Sequence, residues 1–223
     1  MPQATWKRQL PNALTMARLA MAAVVVALLA IAPPLAGAEG PQPALLVATA
    51  FFVLAAITDA LDGYLARKWN AISIFGRVMD PFADKILVLG VAIMLATPNF
   101  AVSTEAGPRM AAGFTGWMAV VILARELLVT SIRGVFESRG VDFSASASGK
   151  AKMIVQSVAI PGCLLVAGLW GAASPGWARW SVDVAAWGTT LITAVSAVPY
   201  VTRAIRLGGR PQTQTTDNAK ETP

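Results

Sequence analysis

Four aspartates stand in two pairs, Asp59 with Asp62 and Asp80 with Asp84, inside otherwise apolar stretches. The chain has no histidine, and its single cysteine is Cys163. Histidine is thereby excluded as general base or metal ligand, and so are a cysteine metal cluster and an intrachain disulfide. Acid–base or metal chemistry must rest on carboxylate, lysine, tyrosine or water. A helical residue turns about 100°, so Asp59, Asp62, Gly63 and Ala66 fall within one arc of roughly 100°. Asp80 and Asp84 likewise share a face, one turn apart. Gly63 and Ala66 leave room for a ligand against the helix, and Arg67 can neutralise a phosphate. A charged aspartate at mid-membrane costs on the order of 3 kcal/mol, and mutual repulsion adds to that. Two divalent cations would neutralise four carboxylates, and all-oxygen ligation suits Mg²⁺ or Mn²⁺ rather than zinc. Two bridged metals serve displacement at phosphorus by stabilising the attacking and leaving oxygens. Aspartate–arginine pairing for helix packing explains one such acid, not four beside two small residues.

Basic residues stand at comparable depth. Asn12, Thr15 and Arg18 lie three apart at the start of the first apolar segment. Arg125, Glu126 and Arg133 lie on the fourth, where Glu126 and Arg133 share a face, and Lys150 and Lys152 open the fifth. Convergence of Arg18, Arg125, Arg133, Lys150 and Lys152 near the aspartates suits an acceptor that carries a phosphate. Two plainer roles compete. Arg18, Lys150 and Lys152 can snorkel to lipid headgroups, and Arg125 with Glu126 can form an internal ion pair.

The elements that must position these groups are membrane spans. The chain has 223 residues, 56% hydrophobic and only 13% charged; a soluble domain carries about 25% charged residues. The expected fold is all-α and polytopic, with six transmembrane helices at about 14–31, 44–67, 80–96, 110–136, 152–169 and 182–205. Gly/Pro-rich stretches at 33–43, 98–108 and 171–176 separate them. Residues 1–13 form a cytoplasmic or interfacial segment, 14–207 the catalytic domain and 208–223 a polar, disordered cytoplasmic tail. Ala36-Gly37-Ala38 suggests a signal-peptide cleavage site, but Arg18 lies in the preceding stretch and five more spans follow. The short linker Lys68–Phe75 predicts that the second and third helices are antiparallel neighbours with their aspartate pairs facing.

Sixteen of the 18 Lys and Arg residues lie outside 33–43, 98–109 and 170–181, which hold only Arg109 and Arg179. The positive-inside rule therefore places both termini and the aspartates at the cytoplasmic side. The net charge of +6 belongs to this bias, with no nucleic-acid binding implied. Ser148-Gly149-Lys150 is not a phosphate loop, because Ser144 stands where the leading glycine is needed.

Asp59-x2-Asp62-Gly63-x2-Ala66-Arg67-x8-Gly76-x3-Asp80-x3-Asp84 resembles the signature of the CDP-alcohol phosphatidyltransferases, with eight specified residues over 26 positions. The resemblance implies a six-helix membrane enzyme, usually a homodimer, with a cytoplasm-facing polar cavity. It implies that Asp59, Asp62, Asp80 and Asp84 surround two divalent ions and that Asp84, beside Asp80, is the catalytic base. Asp62, Gly63, Ala66, Arg67 and Gly76 would shape the CDP-lipid pocket, with Asn12 and Thr15. Leu10–Arg18, Ala124–Arg133 and Ser148–Lys152 further resemble the branch whose acceptor is sn-glycerol 3-phosphate, though members using phosphatidylglycerol share parts of these motifs.

The expected reaction moves the phosphatidyl group of CDP-diacylglycerol to sn-glycerol 3-phosphate at a bacterial-type inner membrane. Phosphatidylglycerol or inositol phosphate are alternative acceptors. A cation transporter is the alternative of another class. It would hold its acids nearer the midplane, whereas these cluster at helix ends beside Arg67, Lys68 and Lys85.

Overall fold

Apolar side chains recur three and four positions apart along each long segment, the pattern of a helix with one buried stripe. The structure, a computed structural model, describes residues 5–69, 74–104, 107–138, 140–141 and 147–208, with side chains described except at 5–11, 62–69, 74–78, 80, 147 and 208. Among these residues the chain forms α1 (Thr5–Ile31), α2 (Pro43–Trp69), α3 (Ile74–Leu95), β1 (Ala101–Thr104), β2 (Gly107–Met110), α4 (Gly116–Glu137), α5 (Ala147–Trp170), α6 (Gly176–Val195) and α7 (Val198–Gly208). The 1–4 and 209–223 ends, and the 70–73 linker, lie outside the described residues.

Each long helix buries a stripe that is apolar toward one end of the bundle and polar toward the other. On α1 the stripe runs Leu29, Val25, Ala22, Arg18, Thr15. On α2 it runs Leu45, Ala48, Phe52, Ala55, and the next position in register is Asp59. On α3 it runs Leu95, Val91, Val88, and then Asp84. On α4 Met118 and Ile122 give way to Arg125 and Glu126, and on α5 Leu164 and Ile160 give way to Gln156 and Lys152. The apolar halves join in one core cluster. The polar halves are thereby gathered at a single end, so the register that packs the core also assembles the site.

α1 packs along both α2 and α3, α2 also meets α5, α5 meets α6, and α4 lies against α3, α6 and α7. The sequence predicts α2 and α3 as direct neighbours. They meet only slightly among the described residues, because α1 takes most of the inner face of each. α1 is also one continuous helix from Thr5, not an interfacial piece followed by a span.

Outward faces carry large exposed apolar side chains, among them Ile57, Leu61, Ile154, Val158 and Leu191. Among the described residues four stretches are long and apolar enough to cross a membrane: Asn12–Ile31, Pro43–Leu61, Ser148–Trp170 and Gly176–Leu207. α3 and α4 fall outside that set and carry more charge: Arg77, Asp80, Asp84 and Lys85 in one, Arg125, Glu126, Arg133 and Glu137 in the other. The protein is mostly helical with four candidate membrane-spanning stretches.

The last stretch, read from sequence as one span over 182–205, is broken into α6 and α7 at Ser196–Ala197. Pro199 explains the break, since it lacks the N–H for a helical bond and its ring clashes with the carbonyl four residues earlier. At the end opposite the acids, the Gly/Pro-rich stretch before α4 contains the hairpin β1–β2, paired Ala101↔Met110 through Thr104↔Gly107. Arg109 of that hairpin binds Asp183 of α6 through Nη2 at 3.0 and 3.2 Å. Leu35 N–H donates to Asn99 O at 2.7 Å and Ala172 N–H to Ala38 O at 2.8 Å, which ties the three loops of this end together.

Candidate functional site

The polar ends of the stripes enclose a cavity of about 720 Å³ lined by Asp59, Asp84, Lys85, Arg125, Glu126, Thr130, Arg133, Lys150, Lys152 and Tyr200. Asp59 arrives there because it continues the α2 stripe, and Asp84 because it continues that of α3. Five of the residues predicted to work together therefore share the cavity with Asp59: Asp84, Arg125, Arg133, Lys150 and Lys152.

Each acid has a different setting. Asp59 is ion-paired with Arg18, whose side chain is 1% exposed while that of Asp59 is 37% exposed. A buried guanidinium is costly without a counter-charge, so Arg18 fixes the Asp59 carboxylate at the cavity edge. The sequence assigns Arg18 to an acceptor phosphate. In the structure it is buried against Asp59 and is not among the described residues lining the cavity. Asp84 has no ion-pair partner among the described residues, and the charges that act on it are those of Asp59, Lys152, Glu126 and Arg18.

Glu126 anchors the basic side. Its Oε1 accepts from Arg125 Nη1 at 3.1 Å and from Lys152 Nζ at 2.5 Å. Arg125 also donates from Nε to Ser196 Oγ at 2.9 Å and lies 5.7 Å from the centre of the Tyr200 ring. One carboxylate thus joins α4 to α5, and one guanidinium joins α4 to the α6–α7 break. The internal Arg125–Glu126 pair is present, and it extends to a cation one helix away. Arg133 donates to Glu137 at 3.2 Å, one turn on along the exposed side of α4. Lys150 is exposed in the first turns of α5.

Thr15 and Asn12 lie on α1 about one and two turns before Arg18, with Thr15 buried. The backbone is helical through Asp62, Gly63, Ala66 and Arg67 in α2, and through Gly76 and Asp80 in α3. Their side chains lie outside the described ones. Among the described residues no group of three carboxylates converges to hold a metal. Asp59 and Asp84 supply two hard oxygen donors on one partly open cavity, a donor set that fits Mg²⁺ or Mn²⁺.

Sequence reasoning did not single out Tyr200 or Ser196; it set Glu126 with Arg125 and Lys85 beside the acids without assigning either a role in the site. The second partner of Glu126 depends on how α4 meets α5, and Tyr200 and Ser196 depend on the break before Pro199. Lys85 had a signal available, as a cation next to Asp84 inside an apolar segment.

Apolar helices whose polar ends enclose carboxylates and cations in one cavity define an integral membrane protein that handles charged, oxygen-rich ligands. Residues 8–197 match the family of CDP-alcohol phosphatidyltransferases, and the chain belongs to that family. It is an enzyme of phospholipid biosynthesis, a phosphatidyltransferase. The chain is similar to the CDP-diacylglycerol–glycerol-3-phosphate 3-phosphatidyltransferase of Bacillus subtilis (strain 168), 34% identical over 161 residues, covering 70% of this chain and 76% of that one. It is similar to a probable phosphatidylglycerophosphate synthase of Mycobacterium tuberculosis (strain ATCC 25618 / H37Rv), 38% identical over 205 residues, covering 92% and 86%. A CDP-diacylglycerol–glycerol-3-phosphate 3-phosphatidyltransferase of Rickettsia bellii (strain RML369-C) is 39% identical over 151 residues, covering 68% and 72%. The family is in general dependent on divalent metal.

Proposed function

We propose that the chain transfers the phosphatidyl group of CDP-diacylglycerol to sn-glycerol 3-phosphate, giving phosphatidylglycerophosphate and CMP. The observation that carries this is a single cavity lined by Asp59 and Asp84 together with Arg125, Arg133, Lys150 and Lys152. The carboxylates suit a metal-bound diphosphate, and the cations suit an acceptor bearing its own phosphate.

Asp59 and Asp84, with Asp62 and Asp80 on the same two helices, would hold two divalent ions, Mg²⁺ or Mn²⁺. Bound there, such ions would supply charge neutralisation of the diphosphate. Asp84 accepts the proton of the acceptor hydroxyl, whose oxygen bonds to the phosphorus bearing diacylglycerol as the bond to CMP breaks. Arg18 keeps Asp59 in place. Glu126 holds Arg125 and Lys152 in the wall, leaving Arg133 and Lys150 as the cations most open to an incoming phosphate. Asn12, Thr15, Gly63, Ala66, Arg67 and Gly76 are assigned to the CDP-lipid side, next to Asp59 in α1, α2 and α3.

The reading includes six spans, with α3 and α4 crossing despite their charge because Asp84, Lys85, Arg125, Glu126, Arg133 and Glu137 line the cavity. It places the cavity and both termini in the cytoplasm of a bacterial-type inner membrane and makes the enzyme a homodimer. The test is CMP release by purified protein in detergent, with Mg²⁺, CDP-diacylglycerol and a panel of acceptors. Release with glycerol 3-phosphate is expected. Release only with phosphatidylglycerol or inositol phosphate reassigns the acceptor, and none with any alcohol overturns the reaction.

A further inference from the structure

A cation held within a membrane helix carries a desolvation penalty that a carboxylate partner offsets. By that criterion the cations of the cavity fall into distinct kinds. Arg125 and Lys152 share Glu126, and Arg133 has Glu137. Lys150 has no carboxylate partner among the described residues but is exposed near the start of α5, where water or headgroups solvate it.

Lys85 fits neither kind. It lies half-buried in α3, next to Asp84, and lines the cavity. Among the described residues its ammonium has one partner, the neutral hydroxyl of Thr130 on α4, at 2.5 Å. The Thr130 hydroxyl donates in turn to the Glu126 carbonyl at 2.7 Å. With its proton committed, that hydroxyl offers a lone pair to Lys85. It aims the ammonium across the α3–α4 wall without neutralising it. A lysine reaching for headgroups would extend along the helix toward the membrane surface, not across to α4.

We propose that Lys85 is a phosphate-binding residue of the reaction, its ammonium taking a phosphate oxygen of a substrate brought against Asp84, with Thr130 as its positioning residue. The inference rests on the proposed phosphatidyl transfer. Two phosphates answer to this chemistry: the diphosphate of the lipid donor and the phosphate of the acceptor.

The experiment uses the full chain in detergent, with Lys85→Met, Lys85→Arg and Thr130→Val. KM for CDP-diacylglycerol and for glycerol 3-phosphate are measured separately from CMP release. Calorimetric binding of glycerol 3-phosphate and of CMP, with no lipid present, is the second readout. Lys85→Met is expected to raise one KM by about tenfold to a hundredfold, the range for a lost hydrogen bond to a charged group. Lys85→Arg recovers most of that loss. Thr130→Val keeps the charge, loses the tether, and raises the same KM severalfold while the other stays within twofold. A rise confined to the donor assigns Lys85 to the diphosphate; one confined to glycerol 3-phosphate assigns it to the acceptor. Both constants within twofold of the parent in Lys85→Met overturn the proposal, as does a defect that Lys85→Arg leaves unrecovered. If Lys85→Met yields no folded protein, unchanged constants in Thr130→Val overturn it. If the parent enzyme itself releases no CMP with glycerol 3-phosphate, the reaction fails, and calorimetry still tests Lys85. Binding weakened at least tenfold in Lys85→Met sustains the inference, and unchanged binding overturns it.

Discussion

Asp59 and Asp84 open on the same cavity, yet their partners divide their chemistry. Asp59 has a buried arginine against it, which takes up one of its lone pairs. Asp84 has no ion-pair partner among the described residues and lines the same cavity as Asp59 and Lys152. A carboxylate with unspent lone pairs near a substrate hydroxyl is the better proton acceptor. Asp84→Asn keeps shape and removes basicity. It should lower kcat by on the order of a hundredfold to ten-thousandfold while CDP-lipid binding stays measurable. Turnover near that of the parent would remove Asp84 as base. Both aspartates were legible from sequence, because acids in apolar stretches are costly and stand out. The partner of Arg18 was not legible. Spacing along α1 cannot tell a guanidinium facing α2 from one facing a substrate, since only the crossing of α1 over α2 decides it.

Helix register carries most of the fold. The apolar segments visible in the sequence place the ends of α1 to α5 within two residues of the expected limits, whereas the starts of α1, α3, α4 and α5 differ by five to nine residues. What was not visible came from backbone chemistry and from packing between elements. Pro199 breaks the last span into α6 and α7, and that break is where Ser196 receives Arg125. The hairpin β1–β2 read as a plain Gly/Pro loop, because strands of four residues give too short an alternation to detect. Its seat against α6 depends on Gly113, whose φ is +74° and where an added Cβ would lie 2.6 Å from the carbonyl oxygen of Val182. Both the left-handed backbone and the close approach oppose any side chain. Gly113→Ala should therefore destabilise the protein by about 2 kcal/mol. Thermal unfolding in detergent measures this. CMP release per folded molecule should stay near that of the parent, since the site lies at the other end of the bundle. Unchanged thermal stability would show that the hairpin does not need this contact.

At the scale of the whole molecule, charge and hydrophobicity conflict over the number of spans. Among the described residues apolarity alone marks four stretches; it passes over α4, which carries Arg125, Glu126, Arg133 and Glu137, and the part of α3 with described side chains is shorter than a span. Asp84 and Lys85 of α3 and Arg125, Glu126, Arg133 and Glu137 of α4 line the cavity, so the bilayer need not receive those charges, and crossing stays compatible with them. The proposed orientation, taken from the basic bias, puts the cavity end inside and the β1–β2 end outside. The chain itself makes this testable, because Cys163 is 2% exposed and should be silent to a thiol reagent. Single cysteines at Ala36, Ser103 and Ser138 stand at exposed positions after α1, in β1 and after α4. In intact cells, a membrane-impermeant maleimide should label Ala36→Cys and Ser103→Cys and should reach Ser138→Cys only after the membrane is opened. Ser103 separates the two counts. If α3 and α4 dip into the bilayer and return to the same side, Ser103→Cys stays silent until the membrane is opened while Ala36→Cys labels at once. That outcome would leave four crossings and an aspartate site on a re-entrant pair. Labelling of Ser138→Cys from outside would reverse the orientation and separate the cavity from cytoplasmic glycerol 3-phosphate.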